Sequence, residues 1–177
     1  PFYRTDNMKL FVLSFIISIS FSQNQDFSLS EIKYFGSHAM HNWSGTSTQA
    51  KTSVSYNDSK ENGSVIVRVR LDSFDSKLYS RDSNMLYYTD AIEFPEVVFK
   101  STQAKVVNDS IYIEGNLTFH GITKKVKTSA FIKLDEYPSV NGTFDINLSD
   151  FDVQRPSLMF IKIKDRIRID YSFKTPN

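Results

Sequence analysis

The sequence predicts an all-β fold, built from short antiparallel strands that form either a closed up-and-down barrel or a sandwich. Apolar and polar residues alternate along many segments, as in strands with one buried face. Turn-forming pairs such as Asn62-Gly63 and Asn141-Gly142 separate these segments. The 177 residues include 15 Phe and 9 Tyr but one Trp, an enrichment that suits strands and apolar cavities. A chain of this length with this pattern indicates one domain with one core.

Some segments alternate very regularly, and in each of them the apolar residues fall on one face. These segments are Ser64–Asp72, Ser110–Phe119, Thr143–Leu148 and Arg166–Phe173. The residues that we select from their buried faces are Val65, Val67, Val69, Leu71, Ile111, Ile113, Leu117, Phe119, Phe144, Ile146, Ile167 and Ile169. Less regular strands are expected at Leu29–Gly36, Gly45–Tyr56, Glu96–Lys105 and Lys124–Leu134. The total is therefore about eight strands, joined mostly by short hairpins.

One segment departs from the strand pattern and predicts a short helix. Between Arg81 and Ile92 the apolar residues recur at helical spacing. Asp82 or Ser83 is a suitable N-cap for this helix, because both side chains accept hydrogen bonds from free backbone N–H groups. A second short turn is expected at Pro156–Met159.

The N-terminus has the features of an export signal. Met8-Lys9 precedes an apolar run of about ten residues and a small-x-small site at Ser20-Phe21-Ser22. The run is too short for a membrane-spanning helix, which takes about 20 residues. We therefore divide the chain into an upstream remnant at 1–7, a signal peptide at 8–22 and one domain at 23–177. An apolar first strand is the alternative to the signal peptide, and a periplasmic or secreted location is the expectation.

The charge balance and the motif content restrict the function classes. A formal net charge of +1 leaves no strong electrostatic footprint for nucleic acid or for an anionic membrane. The chain has no cysteine, which excludes disulfides and thiolate chemistry. It contains no GxSxG elbow, P-loop or glycine-rich dinucleotide motif. We therefore predict a protein that is not an enzyme, has no cofactor or transmembrane segment, and binds no nucleic acid.

Three histidines and one arginine are candidates for contacts with polar ligand groups. His38, His41 and His120 form a weak metal site, contact a polar ligand head, or are ordinary structural residues. The His38-x-x-His41 spacing lacks the glutamate of a zincin motif, so no metal is predicted. Arg81 either stabilises the short helix together with Asp82 or contacts a polar or phosphorylated ligand head.

Several segments resemble the YceI-like family, which is also described as lipid- or polyisoprenoid-binding and lipocalin-like. The most specific similarity is Gly115–Lys124, which fits a Gly-x-Leu-Thr-x-His-Gly-Val-Thr-Lys hairpin. The other similar segments are Ser30–Phe35, Trp43–Gly45, Arg81-Asp82, Asp90–Pro95, Val97–Ser101, Phe144–Ile146, Asp150-Phe151 and Pro156-Ser157. They follow the family's order along essentially the whole of residues 23–177. The stretch around Arg81-Asp82 departs from the family pattern, with Leu78-Tyr79-Ser80 before it and Met85 after it.

The resemblance implies an extended eight-stranded antiparallel lipocalin-like barrel with one or two short helices. It also implies export and an isoprenoid chain in the lumen, such as a quinone or its precursor. The buried-face residues above would then line the lumen together with Met85, Phe94, Phe99 and Met159. His38, His41, Arg81 and His120 would contact the polar head. A homodimer is compatible with this interpretation.

Three alternatives stay open from the sequence. The apolar residues of the inner face could fill one another's space and leave no lumen. The three histidines could serve a metal-dependent enzyme or a redox accessory protein. A filled barrel could act as a stress or envelope interaction protein.

Overall fold

The computed structural model describes residues 29–57, 62–133 and 139–174. The predicted upstream remnant and signal peptide lie outside these residues. The strands are β1 (Leu29–Ser37), β2 (Asn42–Ser47), β3 (Lys51–Asn57), β4 (Asn62–Arg70), β5 (Glu96–Val107), β6 (Ser110–Phe119), β7 (Ile122–Lys133), β8 (Ser139–Asn147), β9 (Ser157–Leu158), β10 (Ile161–Lys162) and β11 (Arg166–Lys174). The helix is α1 (Tyr79–Tyr88), and 3-10 turns lie at Leu71–Ser73 and Leu148–Phe151. Within the described ranges, no helix has the length and apolarity needed to cross a membrane.

Nine strands form one antiparallel sheet in the order β2-β1-β11-β8-β7-β6-β5-β4-β3. Strands that are neighbours in the sequence are mostly neighbours in the sheet, which is an up-and-down arrangement. Two neighbouring pairs are not consecutive in the sequence. β8 and β11 are separated by β9 and β10, and the pairing of β1 with β11 joins the two ends of the described chain along one ladder. The sheet curls, and its inner face surrounds the interior of the molecule.

The two edges of the sheet, β2 and β3, are joined directly by the chain at 48–50. Thr46 and Asp75 exchange two backbone hydrogen bonds of 3.0 Å, which attach β2 to the segment after β4. The hydroxyls of Ser47 and Ser73 share a hydrogen bond of 2.7 Å at the same seam. The Ser30 hydroxyl also donates to the carbonyl of Ala50 at 2.8 Å. These bonds satisfy edge groups that an open sheet would leave unpaired.

The predicted all-β, eight-stranded, lipocalin-like barrel is confirmed. The one strand expected at Gly45–Tyr56 is split into β2 and β3, because the chain leaves one ladder and enters another between them. If β2 and β3 are counted together as one bent strand, the main sheet has the eight strands that were predicted. The period-two pattern identified strands of the main sheet because each of them has one inner and one outer face. The short strands β9 and β10, which are exposed, were not predicted.

The predicted helix is present, but its start and its cap were wrong. Helix α1 begins at Tyr79, and its N-cap residue Leu78 makes no side-chain cap hydrogen bond. Asp82 instead accepts hydrogen bonds from the backbone N–H of Ser76 at 3.1 and 3.3 Å. Its charge in the first turn is favourable to the helix dipole. The turn predicted at Pro156–Met159 is the first half of the β9–β10 hairpin.

A compact core lies at the end of the barrel that carries α1, here called the helix end. The antiparallel register brings the β1–β2 turn, the β6–β7 turn and the start of β11 to this end. Phe151 lies at the centre of this core. It is 1 % exposed and packs against Phe119, with ring centroids 5.5 Å apart. The buried residues of the cluster are Leu71, Leu117, Phe119, Leu148, Phe151, Val153 and Ile167.

Candidate ligand cavity

A cavity of about 1010 Å³ lies inside the barrel. Ligand pockets in proteins span roughly 300–1,000 Å³, so this one is large for the size of the chain. Every strand of the main sheet contributes at least one residue to its wall. Along β6 the wall extends from Ile111 to Phe119, which is roughly 26 Å at about 3.3 Å per residue. The cavity is therefore elongated along the strands.

Most of the predicted lumen residues are in the cavity wall. They are Val65, Val67, Val69, Leu71, Met85, Phe99, Ile111, Ile113, Leu117, Phe119, Phe144, Ile146, Ile167 and Ile169. The side-chain alternation of each strand places them there, since residues two apart share a face. That these residues contact a ligand remains a prediction.

Phe94 and Met159 are outside the cavity wall, contrary to the sequence prediction. Phe94 lies over the β6–β7 turn, with its ring centroid 5.3 Å from that of His120 and its edge against Gly121. Met159 occupies the turn of the β9–β10 hairpin and is 71 % exposed. Both residues belong to irregular segments, where alternation does not define a face.

Several wall residues were missed because they also lie in less regular segments. They are Ile32, Tyr34, Phe74, Tyr88, Val97, Val126, Ile132, Val140 and Ile163. Ile32 and Tyr34 alternate with Glu31, Lys33 and Phe35, so the period-two rule applied to β1 finds them. Phe74 follows a 3-10 turn, and no periodic signal in the sequence predicts its direction.

Glycines lie beneath the aromatic rings of the wall. The phenol of Tyr34 lies over Gly45 on the paired strand, where a Cβ atom would be 2.4 Å from the ring. Tyr171 covers Gly142 in the same way, with 2.2 Å from a Cβ atom to its oxygen. Because these glycines have no side chain, the rings lie along the wall and leave the central space of the barrel free.

The same arrangement recurs at Gly115 and Gly36. Phe99 packs over Gly115, where a Cβ atom would be 2.4 Å from the ring. Trp43 packs over Gly36 at the same distance, directly across the β1–β2 ladder. Pairing a glycine with a neighbouring aromatic ring compensates for the packing that a bare glycine loses in a strand.

Among the residues that the structure describes, few polar atoms lie in the interior, and two hydroxyls there have no hydrogen-bond partner. Tyr34 Oη and Thr52 Oγ1 are buried without a hydrogen bond. Thr128 Oγ1 donates to the Thr143 carbonyl at 3.1 Å and shares a hydrogen bond of 3.0 Å with the Tyr171 hydroxyl. Burial raises the pKa of Tyr171, an effect that its bond to Thr128 partly offsets. An apolar interior disfavours the charged phenolate in both tyrosines.

Replacement of Tyr34 by phenylalanine should leave stability at neutral pH unchanged or slightly higher, because its hydroxyl is buried and unpaired. Burial, and to a smaller extent Asp82, raises the pKa of Tyr34 to about 12 against the opposing effect of Arg81. The folded state therefore keeps a proton that the unfolded state loses near pH 10. The stabilisation is complete below pH 10 and is lost as the pH rises towards 12.

Urea unfolding of the wild type and of Tyr34→Phe at pH 7, 10 and 11.5 checks this prediction. The wild type should lose more stability than the variant between the two higher pH values. Tyr171 remains in both proteins and accounts for the loss that they share. An equal loss of stability in the two proteins between pH 10 and 11.5 would show that Tyr34 is not the group whose ionisation destabilises the wild type.

The cavity reaches the surface at the helix end. Leu78 and Leu158 both line the cavity and are about half exposed, and Ser80, Asn84, Gln154 and Ser157 are exposed wall residues at the same end. We call these six residues the mouth. They come from α1, from the residue preceding it, and from the β9–β10 hairpin with the segment that leads into it.

Arg81 is the charged group next to the mouth. Among the described residues of the wall, no other arginine, lysine, aspartate or glutamate is present. Its Nη1 donates to the carbonyl of Ser76 at 3.2 Å, and its guanidinium carbon is 5.9 Å from the ring centroid of Trp43. These contacts hold the guanidinium at the edge of an apolar space. The expected contact of Arg81 with a polar head remains a prediction.

His38 and His41 also line the cavity, beside the β1–β2 turn. His38 is buried, and its Nδ1 accepts a 3.3 Å hydrogen bond from the backbone N–H of Met40. Its Nε2 therefore carries the proton and donates to the carbonyl of Ile161 at 3.0 Å. Both ring nitrogens are thus used in structure. His41 is exposed, and its ring centroid is 5.5 Å from that of Trp43.

His120 is outside the cavity wall, so the structure does not place it with His38, His41 and Arg81. Its contact with a ligand head stays a prediction. Its Nδ1 donates to the carbonyl of Phe151 at 2.8 Å, and its backbone has a φ of 49° in the β6–β7 turn. The residue therefore ties this turn to the core. Within residues 29–57, 62–133 and 139–174, no cluster of three or more His, Cys, Asp or Glu could hold a metal ion.

Comparison with known proteins identifies the family. A family model described as the YceI-like domain matches residues 23–175. The chain belongs to the YceI-like family. This confirms the resemblance seen in the Gly115–Lys124 hairpin and along the strands.

Named relatives of this YceI-like chain are bacterial. A UPF0312 protein of Pseudomonas syringae pv. tomato is 29 % identical over 143 residues, which are 74 % of this chain and 71 % of the relative. A UPF0312 protein of Vibrio cholerae is 33 % identical over 101 residues, which are 51 % of this chain and 53 % of the relative.

Two solved structures show the same fold at low sequence identity. BcnA of Burkholderia cenocepacia superposes with a TM-score of 0.75 at 17 % identity, covering 85 % of this chain and 99 % of BcnA. A polyisoprenoid binding domain from Saccharophagus degradans, implicated in plant cell wall breakdown, has a TM-score of 0.64 at 13 % identity. That match covers 83 % of this chain and 94 % of the domain.

Proposed function

We propose that this YceI-like protein is an exported carrier that holds one long apolar molecule, such as an isoprenoid lipid, in its barrel. The observation that carries the proposal is the elongated cavity of about 1010 Å³ with its apolar wall. The polyisoprenoid-binding name of one structural neighbour supports this ligand class. The export-signal pattern at 8–22 supports a periplasmic or secreted location.

The dimensions of the wall favour a long chain over a small compact ligand. Burial of each CH₂ group contributes about 0.8 kcal/mol, so some ten groups contribute about 8 kcal/mol. Association costs about 4–15 kcal/mol in lost freedom. A longer hydrocarbon buries more CH₂ groups and offsets this cost where a short one does not, without polar contacts deep in the barrel. Its head group would lie at the mouth, near Arg81 and His41.

A binding role fits the chemistry of the wall better than catalysis does. No carboxylate occurs among the described wall residues, and the ring nitrogens of His38 are used by backbone groups. General acid–base chemistry needs a titratable group within reach of the substrate. We therefore propose a carrier without catalytic residues and without a cofactor other than the lipid itself.

Substitution of a larger side chain in the middle of the wall should prevent lipid retention. Ile113 faces the cavity, whereas its neighbour Tyr112 is exposed on the outer face of β6. Ile113→Trp places an indole in the lumen and should reduce the lipid retained per chain at least about tenfold, since the two groups compete for one space. Tyr112→Trp adds the same group outside and should retain lipid like the wild type.

The measurement is reloading of delipidated protein with a polyprenol, followed by gel filtration and lipid mass analysis of the protein fraction. Circular dichroism of both variants verifies that the strands are intact. Equal retention by Ile113→Trp and the wild type would place the lipid elsewhere on the protein. A wild type that retains no lipid would contradict the carrier function.

A further inference from the structure

The β9–β10 hairpin presents two large apolar side chains to solvent. Its turn consists of Met159 and Phe160, since Leu158 pairs with Ile161 on either side. Phe160 is 103 % exposed relative to an extended chain, and Met159 is 71 % exposed. Leu158 and Ile161 are also about half exposed. The hairpin therefore ends in a small, projecting apolar tip rather than in the polar residues usual for an exposed turn.

The backbone of this tip is unfavourable for the residues that occupy it. Met159 has a φ of 51° and Phe160 a φ of 67°, both in the left-handed region. Two-residue hairpin turns of this kind strongly prefer Asn-Gly or Asp-Gly. Bulky side chains are rare at positive φ. The sequence therefore places two apolar groups where a polar pair would give a more stable turn.

Contacts with the barrel hold the hairpin at the mouth. His38 Nε2 donates to the Ile161 carbonyl at 3.0 Å. The backbone N–H of Lys164 donates to the Ser37 carbonyl at 2.8 Å. On the opposite strand of the hairpin, Ser157 and Leu158 line the cavity. The apolar tip thus lies next to the opening through which a lipid would pass.

Exposed lysines follow the apolar tip. Lys162 and Lys164 are exposed, and neither makes an ion pair with the part of the chain that the structure describes. Basic residues beside apolar ones are attracted to anionic lipid head groups at short range. This local attraction does not require a high net charge, so it is compatible with the formal charge of +1.

We infer that the Met159-Phe160 tip inserts into the surface of an anionic phospholipid bilayer and brings the mouth to the membrane. A projecting two-residue tip suits a bilayer, because lipids adapt to a side chain that enters the interface. It suits a second protein less well, since stable protein interfaces bury about 1,200–2,000 Å² of complementary surface. This inference concerns the outside of the barrel and does not require the lumen to hold a lipid.

A variant that gives the turn a more favourable sequence and removes its apolar side chains separates the effect of the turn on stability from its effect on membrane binding. In Met159→Asn/Phe160→Gly the turn becomes Asn-Gly, which is favoured at this position. Its unfolding midpoint should therefore equal or exceed that of the wild type. Its partition onto vesicles should fall about tenfold or more, because burial of an aromatic side chain is lost. Phe131→Ser is the matched control, since Phe131 is an exposed aromatic on the outer face of β7.

The measurement is flotation of delipidated protein with vesicles of equal parts phosphatidylglycerol and phosphatidylethanolamine. The wild type and Phe131→Ser should float together with the vesicles, and the turn variant should stay behind. Equal flotation of the turn variant and the wild type would overturn the inference, as would a wild type that does not float. A homodimer that the turn variant converts to a monomer, with flotation unchanged, would assign the tip to a second copy of the chain. Lipid retention in the lumen is assayed separately, so the two proposals fail independently.

Discussion

Replacement of Phe151 by alanine is expected to lower the free energy of unfolding by about 3–5 kcal/mol. Phe151 is 1 % exposed and packs against Phe119 in the core of the helix end. Its removal costs the transfer free energy of the ring and leaves a cavity that the surrounding strands cannot fill. The hydrogen bond from His120 is retained, because it ends on the backbone carbonyl of Phe151.

Urea denaturation of Phe151→Ala and Phe131→Ala at neutral pH checks this expectation. Phe131 is 56 % exposed on the outer face, so its truncation should change stability by no more than about 0.5 kcal/mol. Comparable losses in the two variants would show that the helix end is not the core of the molecule. The pair therefore tests the packing independently of any ligand.

Replacement of Gly142 by alanine is expected to destabilise the protein by about 1–3 kcal/mol and to narrow the lumen. The new Cβ atom would lie 2.2 Å from Tyr171 Oη and 2.9 Å from the backbone oxygen of Ser129. The phenol must then leave the wall and move towards the centre of the barrel, which breaks its hydrogen bond to Thr128. Lipid retention should decrease together with stability.

A double-mutant cycle that combines Gly142→Ala with Tyr171→Val isolates the cause. The smaller valine removes the ring that the new methyl group would displace, so the combined variant should be more stable than the sum of the single effects predicts. An interaction energy of about 0.5–3 kcal/mol is expected for residues in direct contact. Additive effects would show that the clash is with the Ser129 backbone instead, and that Gly142 does not shape the lumen through Tyr171.

The sequence was most informative where the chain forms regular strands. In β4, β6, β8 and β11, alternation alone predicted which side chains face the interior, and Val65, Ile113 and Ile169 lie there. Barrel closure required more, because it depends on β2 and β3 belonging to different ladders. A period-two pattern is the same in a barrel and in a sandwich, so the family resemblance decided between them.

The sequence was least informative where tertiary contacts determine which way a side chain points. Phe94 packs against His120 in the β6–β7 turn, and the His120 ring is held by its hydrogen bond to the Phe151 carbonyl. The space inside the barrel was not predictable from residue types, because an apolar inner face is equally consistent with a filled core. The glycines beneath Tyr34 and Tyr171 are what keep that space free, and pairing across strands cannot be recognised before the register is known.

Native mass spectrometry of the purified protein, before and after organic extraction, will show whether the barrel holds a single long apolar molecule. We predict a mass above that of the bare chain by one lipid, which extraction removes and which contains a long hydrocarbon. A bare mass that stays unchanged when a polyprenol is added would contradict this prediction.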